Sequence, residues 1–541
     1  MTDREETYDA QGRPRPKLLP DDNVTLALAL TTLLALLLRL FRLGQQSLWV
    51  DELMTIRQGT MTGTTLWEQF LHDTQSPLPM VIVTLLGAVS EHEAWLRMPG
   101  ALLGALSIPI FFEVVRRIAD ARTALLAAML LAIHPMHVDH SQEVRGYAYL
   151  VFFGLAATWI LLDAGTRLSW SRMPWLVLTG VAAGLSNLQG LFWMAGLALG
   201  IVVSGRYPVR TWARWAIPFV LILVVLTPWW SLSLGVHETG RLLPEAEQGE
   251  PLRGETTFTP WAIPYAGFVL SMGSSLGPSD DELHEEVVVG GNPVLGAEHL
   301  PLVAITALLV VALGCLGLRA LGRGSWEPLA WASVAIVMAA LLAVRNVKPF
   351  NPRYVITALP VLLIFVAAGL NRLPVRWSLA LLVVWIGLTG ISLQRMWFDP
   401  QHVHEDVRGA ARLIADREGP DDAILVPTVR HVFDFYYRGD SPRSGMAGRR
   451  AMDRASMDEA LGDVGQGRRF LWYVKSRPWF GDPERRIEES LQRRHEQLSR
   501  FEMPGVEVYL FDRASEPRED VPDGGDDGGN GNAVPDSAVV D

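Results

Sequence analysis

The chain consists over most of its length of apolar blocks separated by short polar segments. Blocks near twenty residues match a hydrocarbon core about 30 Å thick, because an α-helix rises about 1.5 Å per residue. A single block could be a buried helix of a soluble protein, but many in succession predict a polytopic α-helical membrane protein. The predicted spans are residues 24–41, 96–117, 124–139, 147–164, 175–188, 190–205, 212–233, 300–320, 328–345, 354–371 and 377–394.

Basic residues predict the orientation of these spans. With the N-terminus inside, every inner loop and its borders receive at least two arginines, as the positive-inside rule requires. They are Arg116, Arg117 and Arg122, then Arg167 and Arg172, Arg206 and Arg210, Arg319 and Arg323, and Arg372 and Arg376. We therefore predict a cytoplasmic N-terminal tail (1–23) and a membrane domain (24–395) with long outer loops at 42–95 and 234–299.

The apolar segment 77–89 is the exception within the first outer loop. It is short, and two prolines lie at its start. As a further span it would invert every later loop and reverse the arginine bias, so we expect an interfacial or re-entrant helix there. The first apolar block follows an acidic tail and has no small-residue cleavage site after it, so we do not expect it to be a cleaved signal.

Beyond residue 395 the pattern becomes that of a water-soluble domain. Helices are predicted at 410–417 and 484–497, and strands at 423–426, 470–474 and 505–511, which together predict a small extracytoplasmic α/β domain over 396–515. The last segment, 516–541, holds eight acidic residues against one arginine and is expected to be a disordered, solvated tail.

Composition excludes several classes of function. The formal net charge of −11 argues against a nucleic-acid partner, and the single cysteine, Cys315, permits no intrachain disulfide and argues against a cysteine nucleophile. No glycine loop of the Walker or dinucleotide-binding type occurs, so the sequence does not support a soluble nucleotide as a sugar donor.

Three charged clusters are expected on the outer face, at residues 47–52, 140–147 and 345–354. Ionisable groups at membrane depth are costly and usually face a cavity or a partner. The alternative is that each cluster is an ordinary solvated loop with internal ion pairs. Three clusters on one face favour a functional site.

The clusters and their flanking residues carry a family resemblance. The residues concerned are Asp51 and Glu52, 76–79, 93–104, His134 and Pro135, 141–147, 276–279 with 282–284, and Arg353 and Tyr354. Their pattern resembles the GT-C glycosyltransferases, in the bacterial family-39-like branch related to protein O-mannosyltransferases and aminoarabinose transferases. The resemblance covers roughly residues 24–395 and is clearest over 47–165.

The resemblance implies a GT-C type membrane protein of about eleven spans that transfers a sugar from a polyprenyl-phosphate carrier to an acceptor hydroxyl, with inversion. Asp51 is then the expected general base, and Glu52 orients it or binds acceptor. Cations must meet the lipid phosphate where its charge develops. The residues expected to bind the lipid phosphate or substrate are Arg57, Arg97, Arg145, Tyr147, Lys348, Arg353 and Tyr354. Alternatively, Arg97 binds lipid headgroups as an anchor. Arg353 would in that case only extend its charged end from the membrane to the aqueous interface.

Glu143 stands where relatives carry a second acid. It has a catalytic role, binds a divalent metal or pairs with Arg145, and the sequence leaves these alternatives open. His134, His137, Asp139 and His140 do not have a recognised zinc-ligand spacing and are more typical of interfacial residues at a helix end. No cofactor is predicted with certainty, and a divalent metal is left open.

Other classes of membrane protein compete with this interpretation. A lipid-linked sugar transporter or flippase would use the outer charges as a gate, but it should show two similar halves, which the sequence lacks. A glycan ligase and a non-catalytic scaffold for the outer domain are further alternatives. The predicted protein is a multi-pass cell-membrane enzyme whose partners are membrane lipids, a polyprenyl-phosphate sugar, and a glycan, lipid or protein acceptor.

Overall fold

The structure is a computed structural model of the chain. It describes residues 22–60, 76–166, 168–239, 262–279, 282, 299–344, 351–446, 454–478, 482 and 485–514. In these ranges the chain forms a helical membrane domain followed by a small α/β domain.

The membrane domain is built from helices of very different lengths. They are α1 (Asp22–Leu40), α2 (Val50–Thr60), α3 (Pro77–Gly87), α4 (Glu93–Ile118), α5 (Ala121–Ile133), α6 (Pro135–Asp139), α7 (Tyr147–Ala164), α8 (Met173–Ser186), α9 (Gln189–Val203), α10 (Trp212–Thr239), α11 (Ala262–Met272), α12 (Leu300–Leu321), α13 (Trp326–Val344), α14 (Leu359–Arg372) and α15 (Val375–Phe398). A 3₁₀ turn over Pro352–Ala358 leads into α14.

The predicted spans all overlap helices, so the prediction of a polytopic helical protein is confirmed. Seven stretches of the described chain are long and apolar enough to cross a membrane, and one of them, Leu300–Leu341, contains both α12 and most of α13. The helices α5, α8 and α9 are shorter apolar helices. The exact number of spans therefore stays a prediction.

Helices lie inside both predicted outer loops, and the one at 77–87 overlaps the helix expected within the first loop. In the first loop, α2 carries Asp51, and α3 coincides with the apolar segment at 77–89. In the second, α11 contributes Val269 and Met272 to the main hydrophobic core. The predicted span 124–139 is divided between α5 and α6 at Pro135, because proline has no N–H to donate and is tolerated only in the first turn of a helix.

Burial separates an inner from an outer set of helices. The fully buried side chains of Phe111, Leu150 and Ile364 lie on α4, α7 and α14. By contrast, α10 and α15 present large apolar side chains outward, among them Val224 and Val383, which are 63% and 67% exposed. Apolar surface costs about 25 cal/mol per Å² in water, so these outer faces suit a lipid environment.

The C-terminal domain is a three-layer α/β unit. Its elements are α16 (Val407–Ala415), β1 (Asp422–Leu425), α17 (Arg430–Tyr436), β2 (Arg443–Ser444), α18 (Arg454–Asp463), β3 (Phe470–Ser476), α19 (Arg486–Arg494), β4 (Glu496–Met503) and β5 (Val506–Asp512). The sheet order is β2-β1-β3-β5-β4, with parallel pairing around β1 and antiparallel pairing around β5.

Successive side chains of β3 point to opposite faces of the sheet, and each face packs against its own pair of helices. Trp472 and Val474 face the core that contains α16 and α17, whereas Leu471 and Tyr473 face the core that contains α18 and α19. Three predicted strands and the helix at 410–417 are present. The predicted helix at 484–497 is too long, because α19 ends at Arg494 and the chain then enters β4.

Candidate active site

Asp51 lies in the first turn of α2, between the membrane domain and the C-terminal domain. An acidic side chain is favoured there by the helix dipole. Leu53 of α2 belongs to the hydrophobic core of the C-terminal domain. Ile56, about one turn further along the same helix, packs with Val83 and Leu96 of the membrane domain. Packing against both domains fixes the helix that carries Asp51.

Two arginines from distant parts of the chain face the Asp51 carboxylate. The same oxygen, Oδ2, lies 3.0 Å from Nη1 of Arg353 and 3.6 Å from Nη2 of Arg145. Arg145 also donates through Nη1 to the backbone carbonyl of Asp51 (3.1 Å) and to the hydroxyl of Thr55 (3.2 Å). The structure thus brings together one residue from each of the three charged clusters.

Arg353 is positioned by the turn that precedes α14. The side chain of Asn351 accepts a hydrogen bond from the backbone N–H of Arg353 at 3.1 Å and caps the 3₁₀ turn. The Arg353 guanidinium lies 5.5 Å from the ring centre of Trp49 and 5.7 Å from that of Tyr354, within cation–π range. Tyr354 therefore supports Arg353 through its ring.

Glu52 points away from Asp51 and is fully buried. Arg97 donates to its two carboxylate oxygens through Nε (2.8 Å) and Nη2 (2.7 Å), and the backbone N–H of Val144 donates to Oε1 at 2.8 Å. The remaining donors of Arg97 bind the carbonyls of Leu43, Gln46 and Ser47. This buried pair ties together the segments that carry Asp51 and Arg145.

Glu143 pairs with His140 and not with Arg145. Its Oε2 lies 3.2 Å from Nδ1 of His140, and the His140 ring packs 4.8 Å from that of the buried Tyr147 at the start of α7. Burial disfavours charge on both partners, but their mutual attraction outweighs it. The pKa of Glu143 is lowered and the pKa of His140 is raised, so each group favours the charged form of the other.

Asp139 completes a group with these two residues. One ligand atom each from Asp139, His140 and Glu143 lies within 4.8 Å of the others. Imidazole nitrogen and carboxylate oxygen are donors that suit a divalent cation such as Zn²⁺ or Mn²⁺, so the residues fit a metal. His134 and His137 lie outside the group: His134 contacts the carbonyls of residues 270 and 271, and His137 contacts Arg39.

The C-terminal domain contributes residues that the sequence did not single out as functional. The ring of His404 is parallel to that of Trp49, with centres 5.3 Å apart. Arg477 lies 6.0 Å from the same indole and binds the carboxylate of Glu405. His404 also lines a small polar cavity with Glu143. No local sequence signal links these residues to Asp51, because they are more than 350 residues away.

Two predicted phosphate-binding residues fall outside the described parts of the chain. They are Lys348 and the side chain of Arg57. All other predicted site residues are described. Asp51, Arg145, Arg353 and Tyr354 share direct contacts, and Glu52 and Arg97 form the separate buried pair.

Comparison with known proteins identifies related chains. Residues 74–231 match the model of the dolichyl-phosphate-mannose-protein mannosyltransferase family. Protein O-mannosyl-transferase TMTC3 of Mus musculus is 28% identical over 145 residues, which cover 26% of this chain and 16% of that protein. The chain thus spans under a fifth of the length of this curated relative.

Solved structures match over most of the chain. ArnT from Cupriavidus metallidurans in the apo state has a TM-score of 0.53 at 17% identity, covering 90% of this chain and 98% of that one. Its complex with undecaprenyl phosphate has a TM-score of 0.50 at 16% identity, with the same coverage. The oligosaccharyltransferase AglB from Archaeoglobus fulgidus, with an inhibitory peptide and a dolichol-phosphate, has a TM-score of 0.53 at 12% identity, covering 93% and 75%. The chain therefore shares the fold of these membrane glycosyltransferases.

Proposed function

We propose that the protein transfers a sugar from a polyprenyl-phosphate carrier to an acceptor hydroxyl at the outer face of the cell membrane. The observation that carries the proposal is the Asp51 carboxylate, held between Arg145 and Arg353 where the membrane domain meets the C-terminal domain. A base and phosphate-binding cations within one site are what such a transfer requires.

Asp51 is the proposed general base. Its carboxylate would accept the proton of the acceptor hydroxyl as that oxygen attacks the anomeric carbon, and a single displacement inverts that carbon. Arg145 and Arg353 would bind the lipid phosphate that leaves, because guanidinium groups pair with phosphate oxygens through two parallel hydrogen bonds. Arg57 and Lys348 stay proposed contributors to phosphate binding.

Glu52 and Arg97 have a positioning role in this proposal. Both are buried in their mutual ion pair, with side chains 0% and 3% exposed, so they act on the site through the backbone segments that they hold. Tyr354 packs against Arg353, and Tyr147 packs against His140; both stay proposed substrate-binding residues. Asp139, His140 and Glu143 would hold a divalent cation, which would supply positive charge for the phosphate.

The partners follow from this chemistry. Similar folds are known in complex with undecaprenyl phosphate and with dolichol-phosphate, which supports a lipid phosphate as the carrier. The donor sugar is a hexose or a pentose, and the acceptor is a protein, a glycan or a lipid. The arginine distribution supports a cytoplasmic N-terminus and an extracytoplasmic C-terminal domain.

The test is sugar transfer by the full-length chain in nanodiscs from a panel of radiolabelled polyprenyl-phosphate sugars. Asp51→Asn should lower the transfer rate by at least about 10²-fold, the usual contribution of a general base. Asp163→Asn is the matched control, because Asp163 also pairs with two arginines, Arg117 (2.6 Å) and Arg172 (2.7 Å). It lies at the other end of α7, roughly 24 Å from Tyr147 along the helix.

The control should transfer sugar at the wild-type rate. A normally folded Asp51→Asn variant with full activity would refute the role of Asp51 as the base. Movement of the labelled lipid across the bilayer, without transfer to any acceptor or to water, would favour the flippase alternative.

A further inference from the structure

The Asp51 carboxylate lies against the arginine N–H groups that a lipid phosphate would need. Its Oδ2 lies at hydrogen-bond distance from Nη1 of Arg353 (3.0 Å) and at ion-pair distance from Nη2 of Arg145 (3.6 Å). The side chains of Asp51, Arg353 and Arg145 are partly buried, with exposed fractions of 29%, 22% and 16%. A carboxylate is a planar oxyanion, and arginine binds carboxylate and phosphate with the same N–H groups. The carboxylate and a phosphate therefore cannot both take these positions.

The arginines are held independently of that carboxylate. Nη1 of Arg145 binds the backbone carbonyl of Asp51 and the hydroxyl of Thr55, neither of which depends on the charge of Asp51. Arg353 lies over the rings of Trp49 and Tyr354. The guanidinium groups would therefore stay in place when one anion replaces the other.

We propose that the Asp51 carboxylate and the donor phosphate exchange on the Arg145–Arg353 pair, so that donor binding itself releases the base. The inference rests on the proposed function and adds an order of events to it. Without donor, the two arginines hold the Asp51 carboxylate, so it is not free to approach the acceptor hydroxyl. When the lipid phosphate takes their N–H groups, the Asp51 carboxylate becomes available to the acceptor hydroxyl.

The charge balance of the reaction favours the same exchange. A bond forms between the acceptor oxygen and the anomeric carbon, and the bond from that carbon to the phosphate oxygen breaks with its electron pair left on the phosphate. The acceptor proton goes to Asp51. The phosphate thus changes from a singly charged diester to a monoester with a charge of about −1.5 to −2, while Asp51 becomes neutral. The arginines then hold the stronger anion.

The exchange makes a prediction opposite to that expected for an ordinary binding residue. If the two anions compete, removing the charge of Asp51 should tighten the binding of lipid phosphate, by about tenfold for a typical coupling of two sites. If the anions bind independently, affinity should not change. If Asp51 itself helps to hold the phosphate, affinity should fall.

The experiment measures binding of undecaprenyl phosphate to the full-length chain in nanodiscs, by native mass spectrometry with graded amounts of lipid. Asp51→Asn should gain affinity, Asp51→Glu should not, and Asp163→Asn should match the wild type. The gain should vanish when Arg353→Ala is combined with Asp51→Asn. Thermal unfolding without ligand confirms that each variant is folded, and Asp51→Ser replaces the asparagine variant if that one is not.

Each outcome has a distinct meaning. Tighter binding by Asp51→Asn, lost in the double variant, supports the exchange. Unchanged or weaker binding by Asp51→Asn, with normal binding by the wild type, refutes the exchange and leaves the proposed transfer untouched. A wild-type protein that binds no undecaprenyl or dolichyl phosphate would overturn both proposals.

Discussion

Adjacent acidic residues on α2 have opposite environments, although the sequence presents them as one motif. Successive residues of a helix point about 100° apart, so the neighbours Asp51 and Glu52 cannot face the same partners. Asp51 faces Arg145 and Arg353, while Glu52 faces Arg97 in the interior. The motif therefore combines a candidate reactive group with a structural support for it.

Glu52→Gln should be strongly destabilising. The amide keeps the shape of the side chain but leaves the Arg97 guanidinium buried without a counter-charge, which costs about 3–5 kcal/mol. The measurement is the thermal unfolding of the purified chain in detergent. Glu113→Gln is the control, because Glu113 is partly exposed and its pairs with Arg116 and Arg117 should contribute less. A loss of stability in Glu52→Gln no larger than in the control would contradict the supporting role.

At the residue scale, sequence reasoning identified charged clusters that meet in the structure, but not how their residues pair. The three charged clusters were identified, and Asp51, Arg145 and Arg353 do meet. The burial of Glu52 could not be inferred, because it depends on Arg97 from a different helix. His404 could not be selected at all, since only the docking of the C-terminal domain brings it to Trp49.

Helices and strands could be predicted from the sequence where the pattern of hydrophobic residues alone determines them. Long apolar blocks became helices, because an unpaired backbone in lipid is too costly for any other structure. The short helix α11 was missed, since its 11 residues are fewer than a span needs. The start of strand β4 was assigned to a helix, because Glu496 and Gln497 are exposed polar residues that suit a helix as well as an edge strand.

Packing of α12 against α14 depends on two glycines, one on each helix, that each face the backbone of the other helix. A Cβ atom on Gly317 would lie 1.9 Å from the carbonyl oxygen of Phe365, and one on Gly369 would lie 2.1 Å from that of Leu313. These contacts are with backbone atoms, which cannot move aside as a flexible side chain can. Small residues allow such close approach of helices in membranes.

Gly317→Ala should therefore separate the two helices and lower stability by about 1–3 kcal/mol, as overpacking of a core does. Gly314→Ala on the same helix is the matched control, because a Cβ there meets no atom within 4 Å. That change should be neutral or slightly stabilising, since alanine is the better helix former. The measurement is the melting temperature of both variants in detergent. Equal melting temperatures would contradict the close packing of α12 and α14.

The whole molecule is held together at the surface that also contains the site. Arg408 and the hydroxyl of Tyr436, both from the C-terminal domain, bind Glu93 at the start of α4 at 2.8 and 2.9 Å. The backbone N–H of Leu48 donates to the same tyrosine oxygen at 2.8 Å. These polar contacts surround the segment that leads to Asp51, so docking of the domain and the geometry of the site are coupled.

Glu405 provides a pH-dependent part of this docking. Its backbone carbonyl accepts a hydrogen bond from Ser47 of the membrane domain, and its carboxylate binds Arg477, which lies against Trp49. Burial disfavours the Glu405 carboxylate, but the charge and hydrogen bonds of Arg477 outweigh this effect and lower the pKa of Glu405 below its ordinary value of 4.5. A carboxyl group with a lowered pKa stabilises the folded state above its ordinary pKa. That contribution is lost as the pH falls through the lowered value.

Glu405→Gln should therefore unfold at a lower temperature than the wild type at pH 7, with a free-energy difference of about 1.5–3 kcal/mol, the usual contribution of a hydrogen bond to a charged group. The gap should narrow steadily below pH 4.5, as the wild-type carboxyl group becomes protonated and resembles the amide. The measurement is thermal unfolding of the full chain from pH 7 to pH 3, with the exposed Glu91→Gln as the control that should follow the wild type throughout. A gap that is constant or widens toward low pH would mean that Arg477 does not stabilise the charged form of Glu405. Docking of the two domains would then depend on the contacts of Glu93 and on the packing of Leu53 instead.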